Sequence, residues 1–222
     1  MPKLDAPKIP KFYSSVLACG LLAVCLVALT GFGAPLTNVI TGQTMGTSYR
    51  IVLADSQDAA TLALMQADID LVLNQLEEQM STWRPDSELS RFNVSTSTDW
   101  FSVSRDTVFV VSEAKRIWQL SDGAFDPTVA PLIKLWHFAE EPGEQSLPSE
   151  SDIKQAIAAI GFDQINVRLD PPSLMKKRPE IQLNLSAIAK GYAVDVVSKL
   201  LTERLAEDHL PTAHLVEIGG EM

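Results

Sequence analysis

Apolar residues recur at three- and four-residue steps along residues 58–80, where Leu62, Met65, Ile69, Val72, Leu73 and Leu76 share one face. That spacing predicts an amphipathic helix whose stripe belongs to the core. Residues 106–120 repeat the pattern, with Val110, Val111, Ala114, Ile117 and Trp118 inward, Ser104 as cap and Gly123 as stop. A third helix begins near Ser186, read as its N-cap, and carries Val194, Val197, Leu200, Leu201 and Leu205. Shorter helices are expected over 129–137 and over 149–160, the latter ended by Gly161. Residues 39–54 alternate instead, and read as a strand pair or one long bent strand broken by Gly42 and Gly46. Short strands are expected at 100–103 and 213–218, with a hairpin of 164–169 and 180–183 around Pro171-Pro172. Its loop is basic through Lys176, Lys177 and Arg178. Residues 81–93 read as a loop with a short helical turn, punctuated by Pro85, and 140–148 as a polar loop. Strands and helices mix without the regular unit of a doubly wound sheet, so the fold class is α+β, mixed sheets with packed amphipathic helices.

The first 35 residues stand apart. Residues 16–29 carry no charge and follow Lys3, Lys8 and Lys11, the arrangement of a secretory signal or a single membrane anchor. Continued to Ala34 the run is about 19 residues, near spanning length. Cys25 follows Val24 where acylation asks for a small residue, and Cys19 has almost no apolar region ahead of it. The expectation is therefore export to the periplasmic side of the inner membrane, the protein being anchored to the membrane through this segment or secreted, with a sequence around the cysteines that fits lipidation poorly. Residues 36–222 form the remaining domain. Both cysteines of the chain lie in the N-terminal segment, so the domain has no thiol chemistry and no disulfide. His137, His209 and His214 lack zinc-type spacing. A net charge of −10 argues against a nucleic-acid partner, and obliges any site for an anionic ligand to supply its own positive charge.

One stretch meets that requirement. Asn184-Leu185-Ser186-Ala187-Ile188-Ala189-Lys190-Gly191 follows the apolar Ile181 and Leu183 and opens the long C-terminal helix. A helix start offers free N–H groups and partial positive charge to a phosphate, and Lys190 adds a full charge one turn in. The same residues also suit an ordinary amphipathic helix with a surface lysine and a helix-packing glycine. Met45 can line a flat apolar ligand or fill a core gap. Trp83 can stack on an aromatic ring or cap a surface, and Arg84 and Arg91 can hold an anion or pair with carboxylates. Asp126, fixed by Pro127, can accept from a ligand N–H or hydroxyl, or simply close an Asx turn.

Five motifs occur in order: Thr44-Met45-Gly46-Thr47-Ser48-Tyr49, Met80-Ser81-Thr82-Trp83-Arg84-Pro85-Asp86-Ser87 running on to Asn93, Gly123-Ala124-Phe125-Asp126-Pro127-Thr128, the Asn184 stretch, and Val216-Glu217-Ile218-Gly219-Gly220-Glu221. Together they resemble the FAD:protein FMN transferase family, the ApbE-type flavin transferases, over residues 42–222. The resemblance implies that Met45, Trp83, Ala124, Phe125, Asp126, Asn184 and Lys190 contact FAD, and that the carbonyl of Ala187 helps hold Mg²⁺. Asn184 stands where the family often has aspartate. It implies Mg²⁺-dependent transfer of FMN from FAD to a Thr or Ser hydroxyl of an exported redox protein, with release of AMP. Phosphoryl-type transfer of this kind asks for charge neutralisation and in-line placement more than for a protein nucleophile. The family continues past the Gly-Gly-Glu motif and carries further Mg²⁺ ligands there. The domain is therefore expected to be C-terminally incomplete, to bind FAD weakly and not to transfer flavin alone. Hydrolysis of FAD to FMN and AMP, or flavin binding without catalysis, are the alternatives to transfer.

Overall fold

The 39–54 alternation is resolved as a tight hairpin. In the computed structural model, which describes residues 38–136, 147–207, 210 and 213–222, β1 (Asn38–Thr44) pairs antiparallel with β2 (Thr47–Leu53). Thr44 faces Thr47 across a two-residue turn, and both turn residues, Met45 (φ 48°) and Gly46 (φ 72°), have left-handed backbone. That is the turn whose twist matches right-twisted strands. Gly42 faces Tyr49 in this register, and a Cβ on Gly42 would fall 2.4 Å from the Tyr49 ring. The tyrosine therefore lies over the bare backbone, and its hydroxyl donates to Asp70 at 2.6 Å. Strand β6 (His214–Ile218) extends the sheet on the other side of β2, with Tyr49 opposite Ile218. Ile40, Tyr49, Ile51, Leu53, Val216 and Ile218 bury the same period-two set.

Helix α1 (Ala59–Met80) is capped by Asp58, whose carboxylate accepts from the amides of Ala60 and Thr61. It buries Met65, Ile69, Leu73, Leu76 and Met80; Leu62 and Val72, expected on the same face, are half-buried. The loop after it is wound tightly. The Ser81 hydroxyl accepts from the amides of Trp83 and Arg84, and the Ser81 carbonyl accepts from the hydroxyls of Ser87 and Ser90. Helix α2 (Glu88–Val94) follows, then β3 (Phe101–Ser102) and α3 (Arg105–Leu120), capped by Ser104 as expected. The stop differs by one residue. Asp122 takes the left-handed position (φ 53°), and the Asp122 and Gly123 amides donate back to the Gln119 and Trp118 carbonyls.

Helices α4 (Ala130–Leu135) and α5 (Glu150–Ala158) pack on each other. The end of the 129–137 helix at His137, the 140–146 part of the polar loop, His209 and the whole N-terminal segment lie outside the described residues. Among the described residues no helix is long and apolar enough to cross a membrane.

The expected 164–169/180–183 hairpin is corrected. Strand β4 (Ile165–Arg168) pairs with β5 (Ser173–Lys176), which starts directly after Pro172 and pairs in turn with β3. Lys176 is thus no loop residue. It is 1% exposed, lies 5.3 Å over the Phe92 ring, and donates to the carbonyls of Asn93 (3.1 Å) and Ile181 (3.4 Å). A lysine stem packs like an apolar chain when its ammonium finds acceptors. Residues 181–185 form no strand. Their backbone is held by a side chain: Asn93 donates to the Leu183 carbonyl and accepts from the Leu183 amide, each at 2.8 Å.

The last helix, α6 (Ser186–Glu207), buries Ala189, Ala193, Val194, Val197, Leu201 and Leu205 against α1 and β6. Leu200 is half-buried. All described residues belong to one compact unit, Thr37–Met222.

Candidate functional site

The start of α6 is set by Asn184, not by Ser186 as the sequence suggested. The Asn184 side-chain oxygen accepts from the Ser186 amide at 2.9 Å, and Ser186 is already helical. The Asn184 amide donates to the Pro127 carbonyl at 2.8 Å, tying the helix start to the 123–128 turn. From there Lys190 reaches a cavity of about 600 Å³, of the size that takes a nucleotide cofactor.

Three segments line it. The β1–β2 turn gives Met45 and Gly46, and the α1 end with its loop gives Leu76, Glu77, Met80 and Ser81 through Arg84. The first turn of α6 gives Ser186, Ala189 and Lys190. Leu76, Met80 and Ala189 are buried, which makes an apolar floor, while Trp83 is 73% exposed and stands at the opening. An indole held with its face open to solvent is a ready stacking surface for a flat ring.

The charges are unequal. Arg84 is shared between Glu78 (3.5 Å) and Asp86 (3.8 Å). Lys190 makes no ion pair among the described residues, so it is the cation free to meet an anionic ligand. The alternative reading of Gly191 as a helix-packing glycine fails, since nothing lies within 4 Å of where its Cβ would be.

Met45, Trp83 and Lys190 therefore converge, while Ala124, Phe125, Asp126, Asn184 and Ala187 do not line this cavity. The Asp126 carboxylate is committed to local bonds, accepting from the Thr128 amide (2.8 Å), the Thr128 hydroxyl (2.6 Å) and the Phe162 amide (3.3 Å). That is the Asx-turn role. Phe125 is half-buried against the core, and Ala124 and Ala187 are exposed. Ala187 offers one carbonyl where an octahedral ion needs six oxygens, and among the described residues no group of three or more His, Cys, Asp or Glu side chains can hold a metal. Residues present here do not fit a Mg²⁺ site by themselves.

Glu77 is the site residue that periodicity missed. An acidic pair, Glu77-Glu78, reads as a solvated helix face. The available signal was its spacing: four residues after Leu73 and three before Met80 place Glu77 beside the buried stripe, where a carboxylate needs a partner.

Residues 45–222 match the model of the ApbE family. The FAD:protein FMN transferase of Vibrio cholerae is 39% identical over 198 residues, 89% of this chain and 57% of that protein. Its counterpart in Haemophilus influenzae is 34% identical over 212 residues, 93% of this chain and 60% of that protein. Among solved structures, the flavin transferase ApbE from Vibrio cholerae superposes with a TM-score of 0.74 at 38% identity, covering 84% of this chain and 58% of that one. The apo flavinyl transferase ApbE of Pseudomonas stutzeri gives 0.72 at 32% identity, over 86% and 61%. The chain thus spans less than two thirds of the length of these relatives.

Proposed function

The chain belongs to the ApbE family, and on that premise we propose that it carries the FAD-binding part of an enzyme that transfers FMN from FAD to a protein hydroxyl. The observation that carries this reading is the convergence of Met45, Trp83 and Lys190, remote in sequence, on one cavity. Met45 and Trp83 bracket the isoalloxazine ring, and Lys190 with the positive end of the α6 dipole neutralises the pyrophosphate. Asn184 orients that helix start, and the Ala124-Phe125-Asp126 turn supports Asn184 through Pro127.

In net terms the hydroxyl oxygen of an acceptor Thr or Ser forms a bond to the FMN phosphorus. The phosphorus–oxygen bond to AMP breaks, AMP leaves with the bridging oxygen, and the hydroxyl proton is released. The protein's share is placement and charge neutralisation. Mg²⁺, where bound, would neutralise phosphate charge; the described residues do not supply its site, and it enters none of the steps assigned to them. The charge-flanked run at 16–29 supports an exported, periplasm-facing enzyme whose acceptor is an exported redox protein.

Incubating the full chain with FAD and an acceptor domain, with and without Mg²⁺, tests the activity. Covalent flavin on the acceptor is the expected result for a complete enzyme. Free FMN with AMP would replace transfer by hydrolysis, and FAD bound unchanged would leave a flavin-binding protein. Absence of FAD binding would overturn the reading.

A further inference from the structure

Glu77 is a carboxylate in the proposed FAD cavity that neither pairs with Lys190 nor forms any other ion pair among the described residues. Its hydrogen bonds run to the β1–β2 turn instead. One oxygen, Oε1, accepts both the Thr44 hydroxyl, at 3.0 Å, and the Met45 amide, at 2.5 Å. The turn needs that hold. Left-handed backbone suits Gly46, but Met45 adopts it (φ 48°) with a long side chain, a conformation that L residues disfavour. At Gly46 an added Cβ would meet nothing within 4 Å, while the Met45 side chain is half-buried against the core. Packing around Gly46 does not fix the turn, whereas the hydrogen bond from the Met45 amide to Glu77 holds its backbone.

We propose that Glu77 is a positioning residue, which locks Met45 in the left-handed conformation and so aims its thioether at the flavin ring. This rests on the reading of the cavity as the FAD site. Glu77 acts through Met45 and not on the ligand, and it acts as an acceptor rather than as a charge. Because a single oxygen takes both bonds, glutamine can reproduce the contact with its own Oε1.

The test is a double-mutant cycle in the full chain, with FAD affinity read by flavin fluorescence. Glu77→Ala should weaken binding about tenfold, Glu77→Gln should recover it to within about threefold, and in a Met45→Ala background Glu77→Ala should cost no more than about twofold further. Hydrogen exchange of the Met45 amide without ligand supplies a second readout: faster in Glu77→Ala than in wild type, while the α1 core amides keep their rates. An unchanged FAD affinity in Glu77→Ala overturns the proposal. So does an equal loss with and without the Met45 side chain, which would put Glu77 on the ligand itself. Should wild type fail to bind FAD, the functional reading falls, and the Met45 amide still decides: equal exchange in wild type and Glu77→Ala removes the locking role as well.

Discussion

Lys190 and Arg84 line the same cavity and differ in one respect: Glu78 and Asp86 already share the arginine, whereas no carboxylate among the described residues pairs with the lysine. A cation that is already neutralised has less to gain from a ligand phosphate. Lys190→Ala should therefore weaken FAD binding by about 1.5–3 kcal/mol, the scale of a charged hydrogen bond, and Arg84→Ala by clearly less. Isothermal titration of both variants checks the order; equal losses would overturn the distinction between the two cations, and unaltered binding in Lys190→Ala would make the lysine an ordinary solvated residue. Trp83 allows a cleaner separation of binding from folding. It is 73% exposed, so Trp83→Ala should leave the unfolding free energy in urea within about 0.5 kcal/mol of wild type while FAD affinity falls. A lowered midpoint with intact affinity would make the tryptophan structural.

At the scale of elements, the segment 181–185 is the most exposed to mutation, because side chains hold it where a neighbouring strand would be expected. Lys176 is part of that hold, and burial keeps its ammonium below its ordinary value of 10.5. The unfolded chain binds this proton more tightly than the folded one, so the site's contribution to stability rises with pH between the folded and unfolded values. Urea unfolding should therefore show wild type gaining on Lys176→Met as the pH rises towards the ordinary lysine value of 10.5, and a constant difference would mean that the ammonium is not strained by burial. This region also marks what the sequence could and could not convey. The stripe of α1 and the cap at Ser104 were legible, since periodicity and capping chemistry are local, whereas the cap read at Ser186 belongs to Asn184. The pairing of β4 was not. Three successive basic residues read as loop, and nothing local reveals that Phe92, Asn93 and Ile181 wait for the first of them. In the site, Met45, Trp83 and Lys190 were found through the family motifs. Glu77 was hidden because its partner is a backbone amide 32 residues away.

Considered as a whole, the molecule builds its cavity from three segments separated by most of its length: residues 45–46, 76–84 and 186–190. A ligand bound there joins them and stabilises the folded state through mass action. Saturating FAD should slow amide exchange at the hairpin turn, the 81–87 loop and the first turn of α6 together, leaving the β3-β5-β4 sheet near its ligand-free rates. Protection of only one segment would contradict a shared site. Asn93 gives that arrangement a neck. Between Asn93 and Leu183, partners 90 positions apart, the chain travels out through the second sheet and α3–α5, and it closes on the two bonds of a single carboxamide. Because one proton of that carboxamide is bonded to the Leu183 carbonyl, closing the contact should shift its two protons away from the positions of a free asparagine side chain. Their paired resonances become a built-in reporter: one residue whose spectrum announces whether the long excursion has shut and the α6 helix stands ready, before any flavin is added.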